Sequence, residues 1–353
     1  MTHDSETEGL SCPSPIRNHD TVQLGHGSGG AMTRDLISSV FREAFTNPVL
    51  DRLDDNALLE IDGGRLAFST DSYVVDPIFF PGGDIGDLAV NGTVNDLCTG
   101  GARPLYLSTG FIIEEGLPLA DLRRVVASMR KAAVKAGVTI VTGDTKVVDR
   151  GKGDKLFINT SGVAVVEHEF DIHGGNLQSG DRILISGTVA DHGIAILACR
   201  EGLSLDTPVC SDSAALNGLV KDILAAGGGS VHAMRDPTRG GVAAALNEMA
   251  EASGVSIVLR EDAIPISPSV RGACEILGLD PLYIANEGKM LISVAAERAS
   301  AVLEVIRGHE FGHGAAEIGE VTPGGSVAVS MQTRLGAQRI VDMPVGLQLP
   351  RIC

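Results

Sequence analysis

The sequence predicts an α/β protein of two domains, on three observations. Segments that read as strands alternate with segments that read as helices along most of the chain, the signature of helices layered on sheets. Glycine is abundant, 44 of 353 residues, and aromatics are only 3%, so the expected interior is Val, Leu, Ile and Ala between many tight turns. A chain of 353 residues also exceeds what one hydrophobic core usually organises.

In chain order, residues 1–21 are polar and read as a disordered leader. Leu24-Gly-His-Gly-Ser-Gly-Gly30 then leads into a helix whose Leu36, Ile37, Val40, Phe41, Ala44 and Phe45 share one face. Strands are expected at 57–61 and 65–70, a helix at 84–99, a strand at 105–113, and a helix at 118–136 that stops at Gly137. Strands 138–142 and 156–166 complete a first domain, 22–170. The polar turn Gly174–Asp181 marks the passage to a second, 171–340. There the expected elements are strand 182–186, helices 191–201, 212–225 and 239–252, strand 255–259, helix 268–277, strand 290–295, helix 297–307 and strands near 316–321 and 326–330. Residues 341–353 have two prolines and no helical period, and read as an extended, mobile tail. Ten such residues reach roughly 33 Å, so the thiol of Cys353 sits on an arm able to carry a group.

The net charge of −17 (28 basic, 45 acidic residues) argues against a nucleic-acid or anionic-membrane surface. The six cysteines form no CxxC and no paired spacing, so neither a zinc ribbon nor a disulfide framework is indicated. The N-terminus carries no signal-peptide pattern and no stretch approaches a membrane span, so the expected location is cytoplasmic.

Aspartates recur at or just after strand ends: Asp54-Asp55-Asn56, Thr70-Asp71-Ser72, Val94-Asn95-Asp96, Gly143-Asp144-Thr145-Lys146 and Asp236-Pro-Thr-Arg-Gly-Gly241. One Asp in such a place is an ordinary turn former or cap; five suggest hard oxygen ligands for a Mg²⁺ that bridges phosphates. No Walker A sequence occurs, so the phosphate site is not a P-loop. Gly27, Gly29 and Gly30, before a helix start, are candidates to offer backbone amides to phosphate. His309-Glu-Phe-Gly-His313 matches a zinc-protease pattern, but Gly308, Gly312 and Gly314 deny it the continuous helix that pattern needs.

Asp71–Gly86, Asn91–Leu97, Gly143–Lys146, Asp236–Gly241, Asn286-Glu-Gly-Lys289 and the terminal Pro-Arg-Ile-Cys together closely resemble the HypE family of hydrogenase maturation factors, carbamoyl dehydratases. The likeness runs from about residue 22 to the last. Asn56 and Cys98 depart from it, standing where small residues are common. The wider superfamily is similar to aminoimidazole ribonucleotide synthetase and selenophosphate synthetase. It implies a two-domain PurM-like fold whose N-terminal sheet domains pair into a dimer barrel, with ATP bound near that interface.

The resemblance further implies that a carbamoyltransferase, HypF, loads Cys353, and that ATP-dependent dehydration then converts S-carbamoyl to thiocyanate. A HypC–HypD scaffold would accept the cyanide for a NiFe hydrogenase. Carried over residue by residue, it makes Glu287 the base and Lys146 its helper, Asp55, Asp71, Asp96 and Asp236 the Mg²⁺ ligands, and Asn95 and Asp144 part of the nucleotide site. Two other readings compete. A selenophosphate synthetase would need a reactive Cys near the N-terminus, and Cys12 lies outside the Gly-rich element. A non-catalytic one-carbon carrier would have no use for the aspartates.

Overall fold

The computed structural model describes residues 21–203, 207–346, 349 and 351–353. Residues 1–20 of the expected leader, Cys12 within it, and Pro350 of the tail lie outside the described residues.

The first unit begins with α1 (Ala31–Leu36), which runs through a π-type turn, Ile37–Arg42, into α2 (Glu43–Phe45). Strands β1 (Ala57–Ile61) and β2 (Gly64–Tyr73) form a hairpin, and a short hairpin of β3 (Phe79–Phe80) and β4 (Gly83–Asp84) follows. Helix α3 (Ile85–Thr99) starts there because Asp84 accepts from the amides of Gly86 and Asp87 while the Asp87 carboxylate returns to the amide of Asp84. Then come β5 (Arg103–Glu114), α4 (Leu119–Ala136), β6 (Thr139–Val148) and β7 (Leu156–Val166). The sheet order is β1-β2-β7-β5-β6, antiparallel except for the β5–β6 pair, which α4 connects.

Strand parity gives this sheet two unlike faces. Leu156, Ile158, Thr160, Gly162, Ala164 and Val166 of β7 are buried on the face that carries α3. Gly162 has a packing reason: a Cβ there would stand 2.6 Å from Leu97 Cδ1 on α3. The opposite face shows Phe68, Tyr106 and Ile112 to solvent, 42%, 51% and 47% exposed.

The second unit runs β8 (Arg182–Ile185), α5 (Asp191–Glu201), α6 (Asn217–Gly227), β9 (Val231–Arg235), α7 (Gly241–Ser253), β10 (Val255–Arg260), α8 (Pro268–Leu277), β11 (Leu291–Val294), α9 (Ala296–Gly308), β12 (Ala316–Pro323), β13 (Val329–Gln332) and β14 (Gln338–Ile340). Its sheet, in the order β14-β13-β10-β12-β8-β11-β9, is covered on both faces. Leu184, Ile292 and Met234 point to a cluster with α6, α9 and the first unit's α3, whereas Ile183, Ile185, Leu291 and Ala233 meet α7 and α8. Burial on both faces is why β8 and β11 are mostly apolar, with the buried Ser293 of β11 donating to Asp181 Oδ2 (2.8 Å).

The α/β reading holds, with local differences. Strand β9 was not expected, because His232 and Arg235 interrupt a five-residue run that sits at the sheet edge and pairs only with β11. The helix expected from 212 begins at Asn217, since 212–216 stay non-helical and the amide of Leu216 bonds to Asn95 Oδ1 at 2.8 Å. His309 and His313 follow the end of α9 and share no helix face. Among the described residues no helix is long and apolar enough to cross a membrane.

The tail, expected to be extended and mobile, lies docked in this structure, with Ile352 and Cys353 buried. Its composition does not show the pairing that holds it: the amide of Val74 donates to Cys353 O (2.9 Å) and that of Asp76 to Arg351 O (3.3 Å). Beyond β2, the tail therefore adds on like a short antiparallel strand.

Candidate active site

Six segments meet between the two units: 54–56 before β1, the end of β2 from Asp71, the C-terminal half of α3, the turn 236–241 after β9, the segment 284–289 before β11, and the docked tail. Most lie at strand ends, where α/β folds build sites.

Four carboxylates crowd the centre. Asp236 is buried, and burial with the nearby Asp55 lifts it to about 8; Asp55 is half-buried, and desolvation with Glu248, Asp54 and Asp71 lifts it to about 6, both despite Arg235 close by. Burial, then Asp236, Asp71 and Asp55, pushes Asp96 well above the carboxylate range, although the Ser69 hydroxyl lies 2.9 Å from it. Two arginines supply countercharge. Arg235 Nη2 stands 3.2 Å from Asp55 and 2.7 Å from Glu248, and Arg239 Nη2 stands 3.9 Å from Asp71.

The donor set suits a hard divalent cation in kind: crowded carboxylate oxygens are what such an ion relieves. Among the described residues, however, no three acidic, His or Cys side chains converge closely enough to hold one. Binding by this set requires side chains to move as the ion arrives.

Glu287 sits beside them, 2% exposed, and its Oε1 is buried without a hydrogen-bond partner. Burial raises its pKa well above the usual value, helped by Asp236, Asp71 and Asp212 and opposed by Arg239. A buried carboxylate oxygen left unpaired is costly and marks a group held ready for something absent. Its main chain is fixed from both sides. The Glu287 amide donates to Asp212 Oδ1 (3.0 Å), and Asn95 Nδ2 donates to Glu287 O (3.2 Å) and to Ala214 O (3.0 Å). Lys289 Nζ pairs with Asp212 at 3.0 Å, and against the upward push of burial it holds that carboxylate below its ordinary value. The neighbouring Asn286 accepts from the Ala190 amide (2.7 Å) and donates to Pro237 O and Ile284 O (3.0 and 3.1 Å), tying the start of α5 to the Asp236 turn.

Cys353 is brought to the same place by the docked tail, buried and within electrostatic reach of Arg239 and Glu287. Burial pushes its thiol far up, and Arg239 is the one strong opposing influence. A pocket of about 60 Å³ remains, lined among others by Gly27, Val74, Arg239, Ala285 and Cys353. That is far below the several hundred Å³ of ordinary ligand pockets. The docked tail itself fills this place.

Asp55, Asp71, Asp96, Asp236, Glu287 and Cys353 are thus brought together. Asn95 is 1% exposed and all its amide contacts go to protein, so it organises Glu287 rather than facing an open site. Asp144 and Lys146 are not brought in. They pair with each other (Nζ to Oδ2, 2.6 Å) on edge strand β6, where Lys146 lies opposite Ile112 on the sheet face away from α3. The glycines are engaged with the protein itself: the Gly29 amide donates to Thr33 Oγ1 (2.9 Å) and Gly27 O accepts from Arg239 Nη1 (3.4 Å). A Cβ on Gly30 would stand 2.1 Å from Pro344 O, one on Gly29 2.6 Å from Arg239 Cβ, and the Ala31 amide at the helix start donates to Pro344 O (2.8 Å). In this state they seat the root of the tail and the Arg239 turn.

Sequence reasoning gave no role to Arg235, Arg239, His192, Asp212 or Arg200. Arg239 stood inside a quoted motif and could have been found; the others carry no local signal.

Residues 53–166 match the family described as AIR synthase related protein, N-terminal domain, and residues 178–332 match its C-terminal domain. The chain is 53% identical over 338 residues to carbamoyl dehydratase HypE of Bradyrhizobium diazoefficiens, covering 96% of this chain and 97% of that one. It is similar to the solved HypE–HypF complex (TM-score 0.84, 48% identity, 88% of this chain and 99% of that one). It is also similar to hydrogenase maturation protein HypE in complex with ATP (TM-score 0.79, 53% identity, 94% and 100%). These likenesses span both domains, and by them the chain belongs to the HypE family of carbamoyl dehydratases.

Proposed function

We propose that the chain dehydrates an S-carbamoyl group on its own Cys353 to a thiocyanate, using ATP. The observation that carries this reading is the placement of the Cys353 thiol in one buried site with Glu287, whose carboxylate oxygen lacks a partner. Neither a selenophosphate synthetase nor a passive carrier would need that pairing.

In this reading the carbamoyl oxygen on Cys353 attacks the γ-phosphorus of ATP and ADP leaves. The C–O bond then breaks as phosphate departs, while the two N–H protons are lost, leaving R–S–C≡N. An amide oxygen is a weak nucleophile, so the rate must come from positioning and charge neutralisation. The tail's pairing with Val74 and Asp76 fixes the sulfur, and Arg239 faces the developing charge. Glu287 accepts one proton from nitrogen, and the other leaves with the departing phosphate. Its high proton affinity suits the task once positive charge enters between Asp55, Asp71, Asp96 and Asp236 and leaves it ionised. Those four would hold Mg²⁺, which would neutralise phosphate charge.

Loading requires the tail to leave its seat and reach a transferase, and the solved relative in complex with HypF supports HypF in that role. Delivery of cyanide to a HypC–HypD scaffold follows from the family reading. The exposed row of Phe68 and Tyr106, with Ile112 beyond, fits a homodimer made face to face through the first sheet. A second copy there is also what would give Lys146 and Asp144, on that same face, a site to serve. Sedimentation as a 36.6 kDa monomer at micromolar concentration overturns the dimer.

The central test is intact mass. Protein loaded by a carbamoyltransferase and then given ATP should lose one water, about 18 Da, mapping to the C-terminal peptide. ADP formation with no mass loss refutes the dehydratase reading.

A further inference from the structure

The tail is held in its seat through its backbone carbonyls and through the Arg351 side chain, which donates to Val74 O (2.9 Å) and pairs with Asp154. Two side chains with no part in the chemistry above, Arg200 and His192, contact those carbonyls. His192, in the first turn of α5, is fully buried; its Nε2 lies 2.7 Å from Ile352 O and its Nδ1 2.8 Å from Ser211 Oγ. The neighbours settle the tautomer. The Ser213 amide donates to Ser211 Oγ at 3.1 Å, leaving the Ser211 hydroxyl proton free to go to Nδ1. A carbonyl only accepts, so Nε2 carries the ring proton and donates to Ile352 O. Burial lowers the imidazole pKa, against Asp212 and the Ile352 carbonyl, in keeping with a neutral ring. The ring edge packs at 87° on Phe80, 5.7 Å between centroids, which fixes its plane.

The geometry points to His192 as the latch of the carrier arm: a positioning residue that, oriented by Ser211, holds Ile352 so that Cys353 is seated opposite Glu287, and releases it for loading. This rests on the acceptor role proposed for Cys353. A latch of one neutral hydrogen bond suits a cycling arm. It is strong enough to bias the seated state and weak enough to be broken in each turnover. Arg200, which donates to Arg351 O (2.7 Å) and to Asp76 O (2.8 Å), holds both the tail and its docking partner, so it secures the seat without singling out the cysteine. His192 bonds the residue adjacent to the thiol.

The test reads the latch apart from the chemistry. A buried thiol is alkylated only from the undocked state, so its alkylation rate measures the undocked fraction. In the full-length protein with iodoacetamide, labelling is followed on the C-terminal peptide by mass spectrometry. His192→Phe keeps the ring and its packing but removes the donor, stranding Ile352 O. It should label at least about tenfold faster than wild type. His192→Gln, which retains an N–H at similar reach, should stay within about twofold of wild type. Ser211→Ala, a milder change at a half-buried position, should move the rate in the same direction and serves if His192→Phe does not fold. Once loaded, His192→Phe should still lose water, because a tenfold rise in a small undocked fraction leaves the seated state the majority, with loading by the transferase undiminished. Equal labelling of wild type and both the His192→Phe and Ser211→Ala variants overturns the latch, as does labelling of His192→Gln as fast as His192→Phe. If wild-type protein loses no water at all, the dehydratase reading fails while the labelling comparison still decides the latch.

Discussion

Cys353→Ser should bind ATP as wild type does yet never become carbamoylated or lose water, a complete loss rather than a slowed step. The seat of residue 353 depends on its backbone, through the Val74 amide and its neighbours' bonds to His192 and Arg200, so exchanging sulfur for oxygen leaves the tail docked. What changes is the nucleophile: a hydroxyl is far less nucleophilic at neutral pH than a thiol with access to its thiolate. The docked thiol is itself a poor nucleophile, because burial raises its pKa, so loading must occur with the arm out in solvent. The measurement is intact mass after reaction with transferase, carbamoyl donor and ATP. A carbamoyl adduct on Cys12, Cys98, Cys199, Cys210 or Cys274 in the variant would overturn the acceptor assignment.

Glu287→Gln should load normally, bind ATP and stall before water is lost, with the dehydration rate down by roughly 10²–10⁴-fold. The substitution is nearly isosteric, and the main chain at 287 is gripped by Asp212 and Asn95 whatever the side chain, so the segment should keep its place. It also replaces a buried, unpaired carboxylate by a neutral amide, so the variant should be at least as stable as wild type. A melting temperature preserved together with lost dehydration, read as a carbamoylated mass that persists with ATP, is the expected pair. Wild-type dehydration in this variant would remove Glu287 from the role of base.

Asp55, Asp71 and Asp236 were legible because the beginning or end of a strand is a local pattern; Asp96 lies within α3 instead, and the structure gathers the four at one place. What the motif could not state is parity. Asp71 faces α3 with Thr160 of β7 opposite, whereas Lys146 lies opposite Ile112 on the other face, and which face a residue takes depends on strand register. The tail's seat was illegible for another reason. His192 and Ile352 are 160 residues apart, Val74 and Arg351 277 apart, and neither pair leaves a spacing to read. Strand β9 was hidden by its polar residues, since an edge strand needs apolar side chains on fewer positions than a central one.

The bond from the Ala31 amide to Pro344 O, with Gly30 too close to that carbonyl to bear a side chain, fixes where the arm is hinged. If that anchor holds while the arm is out, only the residues after Pro344 move, a tether of at most roughly 30 Å. A reactive group confined to so small a volume is present at its own site at an effective concentration on the order of millimolar, far above any plausible concentration of the protein. Return to the seat is then a unimolecular event independent of dilution. The exchange that must compete with it, meeting a transferase, depends on the partner's concentration. A bulky residue at position 30 would free the hinge, lengthen the tether and lower that local concentration, making the timing of return sensitive to a glycine that touches none of the chemistry.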